Sequence, residues 1–188
     1  IWTNWGWTSG AQDFTRSCED YSMKRVLIIG SNGAGKSTFS YALAEKTSLP
    51  LIHLDQLYWR NNWEVTPKEE FLSLVSAEAQ KSCWIIEGNN IRSLEDRLQF
   101  ADTVFWFEFP PALCVWNVLK RTFKYHGQVR PDMPDECVSK LNVGFLKDVW
   151  RFNKKNRAKI REKLGANKNI QIVRFTNYKQ VRAYLESL

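Results

Sequence analysis

The sequence predicts a single α/β domain built on a parallel sheet, and three observations carry that prediction. Strand-like and helix-like stretches alternate from residue 25 to the C-terminus, the pattern of β-α-β units with right-handed crossovers. The apolar run Arg25-Val26-Leu27-Ile28-Ile29 leads directly into Gly30-Ser31-Asn32-Gly33-Ala34-Gly35-Lys36-Ser37-Thr38, which fits G-x-x-x-x-G-K-[ST] at every fixed position. The length of 188 residues suits one domain with a substantial core.

Each element has a local reason. Residues 26–29 form the first strand, and 37–46 the helix after the glycine-rich loop. Pro50 interrupts the chain before a second short strand, 51–54, which ends on Asp55. A loop rich in Tyr, Trp and Asn runs on to Val65. Thr66-Pro67-Lys68-Glu69 then reads as a helix start, with a capping Thr, Pro at the first helical position and Glu three residues after the cap. That helix should reach about Lys81, with Phe71, Leu74 and Val75 marking its faces.

Residues 83–86 are the third strand, closing at Glu87-Gly88-Asn89. The fourth, 102–109, is apolar without alternation and so should be buried on both faces. Pro110-Pro111 opens a helix through about Tyr125. Residues 126–141 contain Gly127, Pro131 and Pro134 and predict a loop or lid. A long basic helix, 143–164, should stop at Gly165, with a last strand at 170–175 and a closing helix at 178–188.

Residues 1–22 look foreign to this pattern. They hold three of the nine tryptophans, show no period and end just before Met23, where a complete start begins. The expectation is an extension outside the fold with Met23 as the true initiator; the competing reading is a genuine tail whose tryptophans dock. The domain then spans 23–188, with the lid at about 122–157.

Charge is informative once divided. Residues 1–22 carry a net of −2, so the remainder must carry +9 to reach the total of +7. Most of it lies in 120–163, with thirteen Lys and Arg against five Asp and Glu, a net of +8. Such a field favours anionic partners, whether nucleotides, nucleic acid or a phosphorylated small molecule; a solvated basic helix face is the plainer alternative. The four cysteines are scattered without a C-x-x-C pair, so neither a zinc site nor a disulfide framework is suggested and a reducing cytoplasm is expected. No apolar run approaches the ~20 residues of a membrane helix, and the N-terminus lacks the pattern of a signal peptide.

The glycine-rich loop implies a nucleoside triphosphate. Its glycines let backbone N–H groups gather round one phosphate, and the next helix points its positive end at the same anion. Residues Gly30, Ser31, Asn32, Gly33, Ala34, Gly35, Lys36, Ser37 and Thr38 would cradle the nucleotide. Lys36 would reach the β- and γ-phosphates, and the Ser37 hydroxyl would ligate Mg²⁺. In a parallel sheet ligands sit at the carboxyl ends of the strands, so Asp55, Glu87 to Asn90 and Glu108 to Pro110 should line the same crevice.

Several segments together resemble a known family. Residues 23–38, Ile-His-Leu-Asp-Gln-Leu-Tyr-Trp at 52–59, Trp-Ile-Ile-Glu-Gly-Asn at 84–89, Arg-Pro-Asp-Met at 130–133 and Trp-Arg-Phe at 150–152 are similar to the bacterial "DNA topology modulation" proteins, P-loop proteins of the adenylate-kinase-like group. The resemblance runs from Met23 nearly to the C-terminus. It implies a P-loop NTPase fold with a five-stranded parallel sheet of order 2-3-1-4-5 and a lid after the fourth strand. It says less about the substrate.

Against similar kinases, Glu87 stands where an Asp-Gly pair carries the Mg²⁺-holding acid, and the longer side chain is a departure. Asp55 is the candidate to orient an acceptor or take its proton. His53 reads as a core or supporting residue. Tyr58, Trp59 and Trp63 are candidates to stack on a planar acceptor, with packing as the alternative. Asn89 and Asn90, with Arg92 or Arg97, would hold an acceptor's anionic group. The lid should supply arginines that close on the phosphates. Arg121 and Arg151 are favoured over Arg130 and Arg157. The implied activity is an ATP- and Mg²⁺-dependent phosphotransferase acting on a small acceptor. The rival reading is a nucleic-acid-associated ATPase or regulator of DNA topology. A GTP-type switch is disfavoured, because no Asn-Lys-x-Asp sequence is present.

Overall fold

β1 (Arg25–Gly30) is buried along nearly its whole length, as a strand must be when both faces of its sheet are covered. The computed structural model of the chain describes residues 23–129, 133–134 and 136–188. The expectations for residues 1–22 and for Arg130 lie outside the described residues.

β1 sits in the middle of a five-stranded sheet with β2 (Leu51–His53), β5 (Trp84–Glu87), β6 (Thr103–Phe107) and β7 (Gln171–Phe175). The order is β2-β5-β1-β6-β7 and every pairing is parallel. Counting only the strands of this sheet, that is the expected 2-3-1-4-5. Alternate residues face opposite layers. Val26 and Ile28 join Phe105, Phe107 and Phe175 in a core with α1 (Lys36–Thr47) and α7 (Tyr178–Glu186). Leu27 and Ile29 join Trp84, Ile86 and Trp106 in a second core with α3 (Lys68–Ala79) and α4 (Leu94–Leu98). The result is three layers.

At the amino edge of the sheet, Asp102 aligns the strands. Its Oδ2 accepts from the backbone N–H groups of Lys24 (3.0 Å) and Arg25 (2.8 Å), and its carbonyl accepts from Gln171 N at 2.8 Å.

The expected elements recur with shifted ends. β2 stops at His53, not at Asp55. His53 pairs with Glu87, the last residue of β5, and Gly88 then packs under Leu54: a Cβ on Gly88 would lie 2.6 Å from Leu54 Cβ. With no ladder partner beyond Glu87, the chain turns into the short α2 (Leu54–Tyr58). The anticipated loop to Val65 contains a small antiparallel hairpin, β3 (Trp59–Arg60) and β4 (Glu64–Val65). α4 was not expected, since five residues are too few to show a helical period. Gly165 does not act as a left-handed stop; it is the last residue of α6 (Val143–Gly165), and Ala166 comes next in right-handed geometry.

α6 is bolted to the body rather than hung from it. Val149 enters the first core, while Ile160 and Leu164 enter the second. Between them Asn153 donates to Phe109 O (2.8 Å), and Arg157 pairs with Glu108, which Arg174 of β7 also contacts. These contacts to Glu108 are ionic, with neither oxygen in a well-aligned hydrogen bond. Among the described residues no helix is long and apolar enough to cross a membrane.

Gly30 closes the central strand where it abuts β6. Its φ is +137°, and a Cβ there would lie 2.2 Å from Phe107 O. Gly30→Ala should therefore cost about 3 kcal/mol or more. Gly127→Ala, also at positive φ but with nothing within 4 Å, should cost about 1 kcal/mol. Urea denaturation of the two variants gives the comparison, and equal losses would show that crowding at Gly30 is unimportant.

Candidate active site

The loop between β1 and α1 has the form its sequence anticipates. Gly33 and Gly35 take φ values of +81° and +88°, open to glycine without strain. A Cβ on Gly33 would lie 2.3 Å from the carbonyl oxygen of Cys114 in α5 (Pro111–Lys124). From the same helix Asn117 donates to Gly33 O (2.9 Å) and to Tyr178 Oη (2.7 Å), bracing the loop from behind. No side chain caps α1. Its first N–H groups are thus available to an anion at the helix's positive end.

Lys36 and Glu87 are both buried, with 5 % and 8 % exposure. Lys36 Nζ donates to Ser31 O (3.2 Å) and lies 3.6 Å from Glu87 Oε1. Ser37 Oγ donates to Glu87 Oε2 at 3.3 Å, and His53 Nδ1 is 3.0 Å from the same oxygen. Burial by itself pushes the Glu87 carboxyl up. The opposing pull of Lys36, then of His53 and Ser37, wins and holds it below the usual glutamate range. Glu87 is therefore ionised. Ser37 and Glu87, both expected as Mg²⁺ ligands, stand within hydrogen-bond distance of each other, and Glu87 also pairs with His53.

The turn after β5 is organised by two further side chains. Asn89 Oδ1 accepts from Gly30 N (2.8 Å) and so ties this turn to the phosphate loop. It was expected to hold an acceptor; its oxygen faces the backbone, while its Nδ2 is buried with no hydrogen-bond partner among the described residues. Arg97 is fully buried and donates only to carbonyls: Asn90 O (2.8 Å), Ser93 O (3.2 Å) and Gly88 O (3.4 Å). Desolvation pushes its guanidinium down to about 9, against the pull of Asp96 and Glu87. It splints residues 88–93 and is not available to a ligand.

Beside that turn lies a pocket of about 90 Å³ whose lining includes Tyr58, Thr66, Lys68, Phe71, Asn90 and Arg92. Three residues anticipated for the acceptor (Tyr58, Asn90 and Arg92) meet here, with Lys68 beside them. Tyr58 also packs edge-on against Phe71 and Trp59, and Trp59 against Trp63, so Trp59 serves the aromatic packing. Asp55 stands exposed in the first turn of α2, one residue beyond Leu54.

The arginines separate. Arg121 is four residues after Asn117 on α5, hence on the same helical face as the side chain that touches the phosphate loop. Arg151 is exposed, 200° round α6 from the buried Val149, and faces away from the body. Arg157 is the partner of Glu108 rather than a bare surface charge. Residues 136–138 and the β3–β4 hairpin touch one another: Trp63 Nε1 donates to Val138 O (3.2 Å), Asn62 Nδ2 to Glu136 Oε2 (2.9 Å) and Cys137 Sγ to Arg60 O (3.4 Å). Asn62, Trp63 and Glu136 all have positive φ.

The residues fit a magnesium-bound nucleoside triphosphate. Among the described residues no cluster of three or more His, Cys, Asp or Glu forms a self-sufficient metal cage. A serine hydroxyl and one ionised carboxylate beside a phosphate cradle suit Mg²⁺, which takes few protein ligands and completes its shell with phosphate oxygens and water.

Comparison with known proteins agrees on the fold. A shikimate kinase from Acinetobacter baumannii in complex with shikimate superposes with a TM-score of 0.54 at 17 % identity, covering 88 % of this chain and 90 % of its own. A shikimate kinase from Bacteroides thetaiotaomicron gives 0.52 at 19 % identity, covering 88 % and 96 %. No family model and no curated protein matches the chain. The likeness to the topology modulation proteins therefore rests on its motifs, while the sheet it implied, five parallel strands in the order 2-3-1-4-5, is present.

Two measurements probe this arrangement. Because the Glu87 pKa is lowered from 4.5, its stabilising contribution is complete above that value and lost as pH falls through the lower folded-state pKa. The stability gap between wild type and Glu87→Gln should shrink between pH 6 and pH 3; a gap independent of pH would mean that folding leaves the Glu87 pKa where it stands in the unfolded chain. Arg97→Met should lower unfolding free energy by about 2–4 kcal/mol, since three buried carbonyls lose their donor. A loss under about 1 kcal/mol would show that residues 88–93 hold themselves.

Proposed function

We propose that the chain is an ATP- and Mg²⁺-dependent phosphotransferase acting on a small acceptor. The observation that carries this reading is the ionised, buried Glu87 held between the motif's own Lys36 and Ser37. Burying a carboxylate is costly, and a phosphate-binding loop alone does not require one there. A metal-dependent transfer does.

In this reading residues 30–38 hold the donor nucleotide. Lys36 leaves the Ser31 carbonyl for the phosphates, and Ser37 with Glu87 would hold Mg²⁺. When bound, that ion offsets charge on the transferring group. The acceptor lies in the pocket beside Tyr58 and Arg92, with Lys68 and Arg92 facing its anionic group. A volume of about 90 Å³, against ~300 Å³ or more for drug-sized sites, favours a compact acceptor. Asp55 orients its hydroxyl and takes the proton as the acceptor oxygen bonds to the γ-phosphorus. The bond from that phosphorus to the β–γ bridging oxygen breaks, and ADP leaves. Arg121 is the lid arginine whose helix face already meets the loop; Arg151 reaches the site only if the first half of α6 moves.

An ATP-depletion screen over nucleosides, nucleoside monophosphates and small hydroxyl compounds should find one acceptor class that stimulates ADP formation. Lys36→Ala should lower that rate at least a hundredfold, and Arg92→Ala should raise the acceptor KM about tenfold while leaving the ATP KM unchanged. Hydrolysis that no acceptor stimulates would overturn the assignment. A second reading, nucleic-acid association, is favoured by exposed Trp116, Phe123 and Trp150 on the basic helices α5 and α6. It requires DNA binding that weakens steeply with salt, and no retention at low salt would end it.

A further inference from the structure

Among the described residues three side chains hydrogen-bond or ion-pair with the Glu87 carboxylate, and two of them have other duties. Lys36 and Ser37 belong to the phosphate-binding motif; in the reading above both turn toward the nucleotide and its metal. His53 has no such claim on it. Its Nδ1 lies 3.0 Å from Glu87 Oε2, across the β2–β5 ladder where the two residues are paired in register. We propose that His53 is a positioning residue: it alone keeps Glu87 oriented for Mg²⁺ once Lys36 and Ser37 have engaged the donor. The proposal rests on the phosphotransferase reading.

Three observations support it. The side chain is buried, at 4 % exposure, with the Tyr41 ring at 5.1 Å. Nδ1 faces a carboxylate oxygen, which accepts, and Nε2 is buried with no hydrogen-bond partner among the described residues. An orphaned ring nitrogen is unfavourable, so packing alone would be better served by an apolar ring of the same shape. What a histidine adds at this position is the Nδ1–H. A glutamate also has one more rotatable bond than aspartate. At the end of β5 that extra freedom is removed by a donor on the neighbouring strand. Groups that fix a metal's ligands typically change its affinity by 10- to 100-fold when they are removed.

The test uses the full chain and measures binding, with ADP as the probe. Affinity is measured with Mg²⁺ and again in EDTA, and Mn²⁺ uptake by the ADP complex is tracked by electron paramagnetic resonance. His53→Phe keeps the ring shape without the donor. His53→Asn places an amide N–H close to where Nδ1 stood. Phe should weaken Mg²⁺-dependent ADP binding and Mn²⁺ uptake about tenfold or more, while ADP affinity in EDTA shifts less than twofold. Asn should recover most of the loss. Circular dichroism melts verify that both variants fold, and if Phe does not, the Asn variant and His53→Gln carry the comparison. Wild-type ADP affinity that ignores Mg²⁺ would overturn the phosphotransferase reading together with this one. Affinity that responds to Mg²⁺ equally in wild type and variants would overturn the role of His53 alone.

Discussion

The placing of β1 between β5 and β6 aligns Ile28 with Glu87 and Gly30 with Phe107, and the chemistry of the molecule depends on that alignment. Parallel strands in register bring their carboxyl ends to one edge, so the residues just past each strand meet those just past its neighbours. The lysine after β1 thereby meets the acid at the end of β5, and that acid meets the histidine at the end of β2. A slip of one residue along β5 would turn Glu87 to the other face of the sheet. At the far edge Trp84 N donates to Lys24 O at 2.8 Å and holds β5 in this register, while Asp102 ties β1, β6 and β7 at their starts. Lys36, Glu87 and His53 lie in three distant stretches of sequence, and the sheet is what makes them one site.

Much of this was legible beforehand. The parallel sheet and its strand order come from the alternation of elements, and the meeting of Ser37 with Glu87 at one sheet edge follows from strand-end logic. What was not legible depends on pairing across strands. Running the second strand to Asp55 left His53 a core or supporting residue without a named partner, because nothing in the local residues says that β5 ends at Glu87 and withdraws the ladder. Arg97 looks like a ligand-binding group in sequence, and only the fold shows it directed at backbone carbonyls. A signal did exist for His53: a glutamate where shorter acids are usual calls for a compensating neighbour.

The basic run at 120–163 is the part that changes most in three dimensions. Read as a string it is a field of +8. Folded, part of it is already matched. Arg157 and Arg174 converge on Glu108, Lys163 meets Glu95 and Lys155 meets Asp148. The first pair joins α6 to the carboxyl end of β6, beside the same edge that holds the candidate site. Exposed pairs of this kind stabilise little, but Glu108 is buried, and removing either arginine would leave its charge less well compensated.

The glycines of the loop carry a consequence for how such motifs are inherited. Gly30 is crowded by Phe107 and Gly33 by Cys114, so both are required by the packing of bare protein. A descendant that lost all use for nucleotide would still be selected to retain them, and its loop would go on looking functional. Lys36 has no such protection. A buried ammonium beside a buried acid is a burden to a fold that has no anion to receive it, and drift would remove the pair together. The lysine and its distant glutamate, rather than the glycines, are the part of this signature that records continuing use.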